Sequence, residues 1–481
     1  MSATTASQSE AMPTTLKWGM ALFAFYTVNM IHLPQSLGVP GLNVLNIICL
    51  VVWFMHVRTG RKSNSMPALS QMMFLLFFMI VYSFLVTQLT LPDDFMFDLM
   101  YLKAAIFYPL YFFIFYSVVK TEDDIRFMMY VILIIAMLAA YEAVREGLAY
   151  GNTTFHPMKR ASGPFGDTAF TANRAGVFYA MFFAFALAIS LYHPQPGNRW
   201  IRPLAILTVV ILLGGTFYTF SRQSYLIIGI VAALMMMRRG PSICVILVLL
   251  GLNYNLWMPQ AAIDRLVDTK QVDEEGVEEY DESTESRWIQ WAAAGEMIED
   301  KPWGVGFRRF IYLSESYGGK PMLDAHNHYV LFAAEASPLG TVVHIVLVLS
   351  LWRLGHRLDR AAKRAKNGLG RTLGSGFAFM SLAMILGNIY GSPFANGEVM
   401  GLYWAVGGMV ARQLVNLRSP PPSAAAKESI SDGESHSSHV KLRPRVRGLD
   451  DGAPRGGHVK PRPRVRGRDL LPPAAEGAGA D

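Results

Sequence analysis

Charge is scarce in this chain. Asp, Glu, Lys and Arg make up 16% of its 481 residues, whereas a water-soluble domain carries about a quarter. Such a chain is short of the polar surface that water requires. Cysteine is rarer still: Cys49 and Cys244 are the only two, each inside an apolar run with no metal-ligand neighbours. They read as small buried hydrophobes, not as a disulfide framework or a metal site. The first sixteen residues are polar and lack an apolar core followed by a small-residue cleavage site, so no removed signal peptide is expected. Nucleotide-binding signatures are missing as well. Gly304-Val305-Gly306-Phe307 lacks the third glycine of a dinucleotide fingerprint, and no Lys-Ser/Thr follows to complete a phosphate loop. There is no serine-hydrolase elbow and no ATP-binding module. Any work done by this protein must draw on a substrate bond or an ion gradient.

What is present is apolar. Hydrophobic residues make up 52% of the chain and aromatics 12%, and they come in long runs. A membrane span needs roughly 20 mostly apolar residues. Twelve candidates fall at 17–33, 41–57, 68–90, 104–119, 127–144, 175–192, 203–220, 225–237, 243–258, 329–354, 372–390 and 397–414. The expected fold class is therefore all-α: a polytopic membrane helix bundle of about twelve transmembrane helices. Its expected organisation is a polar N-terminal segment at 1–16, spans 1–9 within 17–258, and a large loop at 259–328. Spans 10–12 within 329–416 and a disordered basic Pro/Arg-rich tail at 417–481 complete it.

Orientation follows from Lys and Arg in short loops. One set of alternate loops holds Arg58, Arg61 and Lys62; Lys120 and Arg126; Arg199 and Arg202; Arg238 and Arg239. The same set ends in the strongest cluster, Arg353, Arg357, Arg360, Lys363, Arg364, Lys366 and Arg371. That side is expected to be cytoplasmic, with both termini on it. The other loops, with Asp93, Asp94 and Asp98, the stretch 145–174 and the segment 259–328, are expected in the periplasm. The net charge of +7 is better explained by a cytoplasmic leaflet than by nucleic acid, so the lipid bilayer is an expected partner and nucleic acid is not.

Within the long loop, 268–285 is acidic and poor in apolar residues, and reads as a solvated segment. From Ser286 onward, Arg287, Trp288, Trp291, Met297 and Ile298 fit an amphipathic helix on the membrane face or against the bundle, broken at Lys301-Pro302. The tail repeats His439-Val-Lys-Leu-Arg-Pro-Arg-Val-Arg-Gly as His458-Val-Lys-Pro-Arg-Pro-Arg-Val-Arg-Gly. It suits an electrostatic contact with anionic lipid headgroups or an acidic partner; a disordered tail with no specific role is the alternative.

Charge beside a span is expensive, so each instance is a candidate site. Arg222, in Phe220-Ser221-Arg222-Gln223-Ser224, keeps its proton and must snorkel, pair or bind an anion; a plain turn marker is the alternative. His326, in Asp324-Ala325-His326-Asn327-His328-Tyr329, suits a general base near neutral pH; an interfacial histidine bonded to a carbonyl is the alternative. His326 and His328 lack a third ligand at a readable spacing, so no metal is expected. Lys159, Arg160, Arg174, Arg287, Arg308 and Arg309 place positive charge where the bias disfavours it, which suits a diphosphate substrate; for any one of them a plain surface charge is the alternative.

These pieces together resemble the O-antigen ligase and O-antigen polymerase superfamily of membrane glycosyltransferases. Phe220–Ser224 resembles its short Ser-Arg element at a span junction. Arg287-Trp288 and the run from Met297 to Phe307 resemble its Pro-x-Gly-x-Gly stretch. Ala325-His326-Asn327-His328-Tyr329-Val330, with Glu335 and Gly340, resembles its His-Asn-x-Tyr-Leu … Glu-x-Gly-x-x-Gly element. Arg160 through Asn173 resembles an earlier Gly-Phe/Asn segment, so the likeness covers about 160–340. One departure is Ser337, where the family has Gly, a position expected to concern helix packing. The resemblance implies metal-independent, cofactor-free transfer of glycan from undecaprenyl diphosphate to an acceptor hydroxyl in the periplasm. The acceptor would be glycan, lipid A core or protein. By the same resemblance Arg222 holds the diphosphate, His326 orients or deprotonates the acceptor, and Arg287, Arg160, Arg308 and Asn173 line the substrate site. A transporter or flippase of lipid-linked oligosaccharide is the main rival. A carrier would show similar halves and charge at mid-membrane, and neither is visible in the sequence.

Overall fold

The computed structural model describes residues 11–29, 32–34, 38, 42–61, 65–151, 155–166, 171–192, 200–238, 240, 245, 249, 251–256, 258, 260–267, 270–272, 278–280 and 282–418. The bundle is built from α1 (Thr14–Val28), α2 (Val44–Arg58), α3 (Ser70–Thr90), α4 (Phe95–Phe107), α5 (Tyr111–Val118), α6 (Glu122–Ala149), α7 (Ala172–Tyr192), α8 (Ile201–Tyr218) and α9 (Arg222–Met237). The loop region holds α10 (Gln260–Val267), α11 (Glu282–Asp300) and α12 (Phe310–Leu313), and the chain returns through α13 (His328–Arg364), α14 (Gly368–Gly387) and α15 (Gly397–Asn416). A small antiparallel hairpin, β1 (Lys270–Val272) with β2 (Glu278–Tyr280), sets Lys270 opposite Tyr280 inside the acidic stretch, a departure from a purely helical chain.

Among the described residues seven helices are long and apolar enough to cross a membrane, and α2 and α9 are shorter apolar helices. The protein is thus a polytopic helical membrane protein, while the count of twelve is not reached at that length and apolarity. The run 243–258 lies largely outside the described residues, and the tail from 419 lies wholly outside them. The outward faces are apolar: Phe54, Phe78, Leu85, Val210 and Leu226 are all exposed, a surface that lipid tolerates and water does not. Helix α7 is the axis. It is apolar all round and buried along nearly its whole length, as a helix surrounded by others must be; α8, α9 and α14 pack on it.

The two ends of the bundle are distinct. At one, Asp124 in the first turn of α6 receives the Arg61 guanidinium at 2.9 Å and the backbone N–H of Met12 at 3.1 Å. Asn416, at the end of α15, donates to the carbonyl of Lys120 at 2.8 Å. Several of the basic loops therefore meet at the same end as residues near both limits of the described chain. The first turn of α6 is stabilised by a capping box between Thr121 and Asp124.

At the other end the loop 301–310 is fastened to a kink in α13. Pro338 has no N–H, so the carbonyl of Ala334 loses its helical donor. The backbone of Val305 supplies one at 2.8 Å, and Gly306 donates to Glu335 O at 3.1 Å. Such an approach requires glycine. A Cβ on Gly304 (φ 93°) would stand 2.6 Å from Glu335 O, and one on Gly306 (φ 101°) 2.5 Å from Thr87 Oγ1. The glycines of the Pro-x-Gly-x-Gly resemblance thus bring a loop backbone onto two helices, α3 and α13.

Ser337 forms the kink itself, at φ 77° and ψ 158°. This is a backbone requirement and not the helix-packing role expected of the position. That region belongs almost entirely to glycine and costs other residues about 1–3 kcal/mol. The Ser337 hydroxyl recovers part of this by accepting from Gly340 N at 3.3 Å, a cap whose replacement by glycine costs only a few tenths of a kcal/mol. Ser337→Gly is therefore expected to stabilise the protein by about 1–2 kcal/mol, and Ser337→Ala to destabilise it. Thermal melting of the two variants in detergent checks the order.

A further correction concerns Asp98, expected in a loop between spans. It lies in the first turn of α4, which Asp94 caps, and is buried. The Arg309 guanidinium forks onto both its oxygens, at 3.0 and 2.5 Å, and Gln88 donates at 2.9 Å. The loop is thereby locked to α4 by a buried, fully bonded ion pair.

Candidate functional site

Two helix N-termini meet at the turn that ends α14. Gln223, beside Arg222 in the first turn of α9, donates to the carbonyls of Leu386 and Gly387 at 3.1 and 2.6 Å. The backbone N–H of His328 donates to Asn388 O at 2.9 Å, with Gly391 O at 3.1 Å. The turn 386–391 therefore holds the starts of α9 and α13 side by side. Both starts are bent sharply. Phe220 (φ 48°) precedes Ser221-Arg222, and His326 (φ 49°) precedes Asn327, whose side chain caps α13 by accepting from Tyr329 N and Val330 N. Left-handed backbone at non-glycine residues is uncommon and gathers at sites with functional constraints.

Arg160 arrives from the segment after α6. Ala161 N donates to Tyr218 O at 2.9 Å, strapping that segment onto the end of α8. The Arg160 Nε donates to Thr219 O at 2.9 Å and its Nη2 to Asn173 Oδ1 at 2.5 Å. Asn173 thus orients Arg160. Burial, then Arg265, Arg222 and Arg287, lower the Arg160 guanidinium to about 10, with Tyr225 opposing; it stays charged at neutral pH. Four guanidinium groups from separate parts of the chain share one neighbourhood.

Arg287 reaches it on α11. One turn further along, Trp291 donates through Nε1 to Ala325 O at 2.8 Å and packs on Tyr390. Gln290 donates to the carbonyls of Lys320 and Leu323 at 3.2 and 2.6 Å. The amphipathic helix therefore lies against the protein, over a small core of Ala294, Met297, Val305, Phe310, Ala325 and Ala334, and holds the loop segment that carries His326. Burial lowers the pKa of His326 below 6.5; Asp324 pushes it up and Arg287 pushes it down. Arg287 thus acts on both Arg160 and His326.

Other candidates fall elsewhere. Arg308 lies with its guanidinium 3.4 Å from the Tyr101 ring centre. It lines a neighbouring cavity of about 870 Å³ with Arg174, Asp324, His328 and Glu335 and an apolar wall from α3 and α4. His328 turns away from His326 into an aromatic cluster with Phe332, His344 and Phe394. His344, seven residues past the kink and wholly buried, departs from the expectation that ionisable groups keep to the rim. It serves as an aromatic side chain against Phe394.

Two contributors were not singled out from the sequence. Arg265 sits on α10, over the ring of Phe155 at 4.6 Å, and bears on Arg160; the strong amphipathicity of that short helix was the available signal. Asp324, inside the histidine motif, is the group that opposes the lowering of His326. Residues 168–348 match the family model described as O-antigen ligase, a region that contains Asn173, Arg222, Arg265, Arg287 and His326 and leaves out Arg160. No curated protein matches the chain.

Proposed function

Because the chain belongs through residues 168–348 to the O-antigen ligase and polymerase superfamily, we propose that it moves a glycan from undecaprenyl diphosphate to an acceptor hydroxyl at the periplasmic face of the inner membrane. The observation that carries this reading is the set of guanidinium groups around Arg160, those of Arg222, Arg265 and Arg287, of which Arg287 also bears on His326 just before a helix N-terminus. Guanidinium groups fork onto phosphate oxygens, and helix N-termini favour anions. In this reading the sugar-bearing oxygen of the diphosphate faces His326.

The chemistry is a single displacement. The acceptor oxygen attacks the anomeric carbon, the acceptor proton passes to His326, and the bond from that carbon to the diphosphate oxygen breaks. The electron pair leaves on undecaprenyl diphosphate, whose growing charge the guanidinium groups stabilise. The donor arrives activated, so no nucleotide is consumed. Asp324 lines the cavity of about 870 Å³ and bears on His326, which supports that cavity as the approach for the acceptor.

Deletion of the gene separates the reading from its rivals. Surface glycan is expected to lose its attachment or its chain length, while undecaprenyl-linked glycan accumulates on the periplasmic face. Attachment of a single repeat unit indicates a polymerase, and complete loss of attachment a ligase. Accumulation on the cytoplasmic face would count for a flippase and against transfer.

A further inference from the structure

A second cavity, of about 590 Å³, opens at the opposite end of α13. Its wall carries five permanent cations, Arg238, Arg353, Arg360, Lys363 and Arg371, against one carboxylate, Asp359. Asp359 is committed to Lys363 at 3.3 Å and, more loosely, Arg238 at 3.9 Å. Two of the guanidinium groups lie over aromatic rings: Arg371 over Tyr192 and Arg238 over Phe379, each 4.7 Å from the ring centre. Ring faces hold a guanidinium in place while leaving its charge and its edge N–H groups for an anion. Ser375 lines the same cavity, and its buried hydroxyl has no hydrogen-bond partner among the described residues. A buried hydroxyl without a partner is costly, and a phosphate oxygen would satisfy it.

Position says which anion. Asn367, between Lys363 and Arg371 of the cavity wall, donates to Glu122 Oε1 at 2.7 Å in the first turn of α6. Glu146, which accepts from Ser162 N and Gly163 N beside Arg160, lies roughly 36 Å further along α6 at about 1.5 Å per residue, more than the ~30 Å hydrocarbon thickness. The cavity is therefore at the headgroup level of the far leaflet. Val342, Ile345, Val346 and Leu349 are exposed on α13 at spacings that align them on one face leading to Arg353. We propose that this cavity holds the phosphate of an anionic phospholipid, with an acyl chain lying along that apolar stripe. The site is separate from the transfer site and does not depend on its chemistry.

Native mass spectrometry of the purified full chain, with added phosphatidylglycerol, phosphatidylcholine or inorganic phosphate, tests this. Wild-type protein should retain phosphatidylglycerol over phosphatidylcholine. The exposed pair Arg353→Gln/Arg371→Gln should weaken retention about tenfold to thirtyfold, and Arg353→Lys/Arg371→Lys should restore most of it. Ser375→Ala, with every cation kept, should weaken it about fivefold to tenfold. Undiminished retention in either the glutamine pair or Ser375→Ala, with wild-type melting, would overturn the assignment, as would equal retention of phosphatidylcholine. Displacement of the lipid by millimolar inorganic phosphate would assign the cavity to a soluble phosphate compound instead.

Discussion

Replacing His326 with alanine is expected to lower glycan transfer by about 10²–10⁴-fold, the usual contribution of a positioned general base, while leaving the bundle's thermal melting near wild type. The fold does not lean on this side chain: the cap of α13 is Asn327, and the neighbouring loop segment is held by Gln290 and Trp291 through carbonyls at 320, 323 and 325. A pH series makes the test specific. A base must be unprotonated, so activity is present above the pKa of His326 and lost as pH falls through it. Burial and Arg287 hold that pKa below 6.5, and Asp324 opposes them. Arg287→Gln removes a nearby cation, which raises the histidine pKa and moves the acid limb to higher pH. Asp324→Asn removes a nearby anion and moves the limb to lower pH. Opposite displacements in the two variants, read from initial transfer rates in proteoliposomes, are the signature. Displacement in one direction for both, or none, would remove His326 from the proton-transfer role.

The apolar runs carried the positions of the long helices because burial in lipid selects composition directly. What they could not carry were relations between distant residues. Asp98 read as a loop aspartate because its partner, Arg309, lies 211 residues away. Arg308 and Arg309 are adjacent and chemically identical, yet one covers a tyrosine ring and the other closes a buried ion pair. Nothing local distinguishes them. Pro338 was visible, but the use made of the carbonyl it frees depended on a loop some thirty residues earlier. Ser337 was seen as a departure from the family, and its left-handed backbone supplies the reason glycine suits the position. For the site, the motifs named Arg222, Arg287 and His326, whereas Asn173 emerged as the residue that orients Arg160 and Arg265 went unseen on its short helix. Chemistry-bearing residue types were legible; their division into holders and contacts was not.

Arg222→Ala is expected to reduce the rate of transfer by about 10²–10³-fold, the loss seen when one preorganised group facing developing charge is removed. The argument is differential. A ground-state diphosphate already carries charge, but bond cleavage adds more to the oxygen leaving the sugar, and a guanidinium at the first helical residue of α9 adds its charge to the positive end of the helix dipole. The loss should therefore fall mainly on kcat, with a smaller rise in donor KM. Arg222→Lys keeps the charge and loses the two-pronged geometry, so it should recover part of the rate. Structural damage is a separate matter: Gln223 supplies hydrogen bonds that hold this turn to α14, so Gln223→Ala should lower the melting temperature, and melting of Arg222→Ala is read beside its rate. Coupling to the histidine is the sharper question. If both groups act on one transition state, the double variant Arg222→Ala/His326→Ala should lose far less than the product of the two single losses, since groups acting as a unit are not additive. A double variant that loses the full product would place the two residues in independent roles, and the shared turn at 386–391 would then be an accident of packing rather than the framework of a reaction.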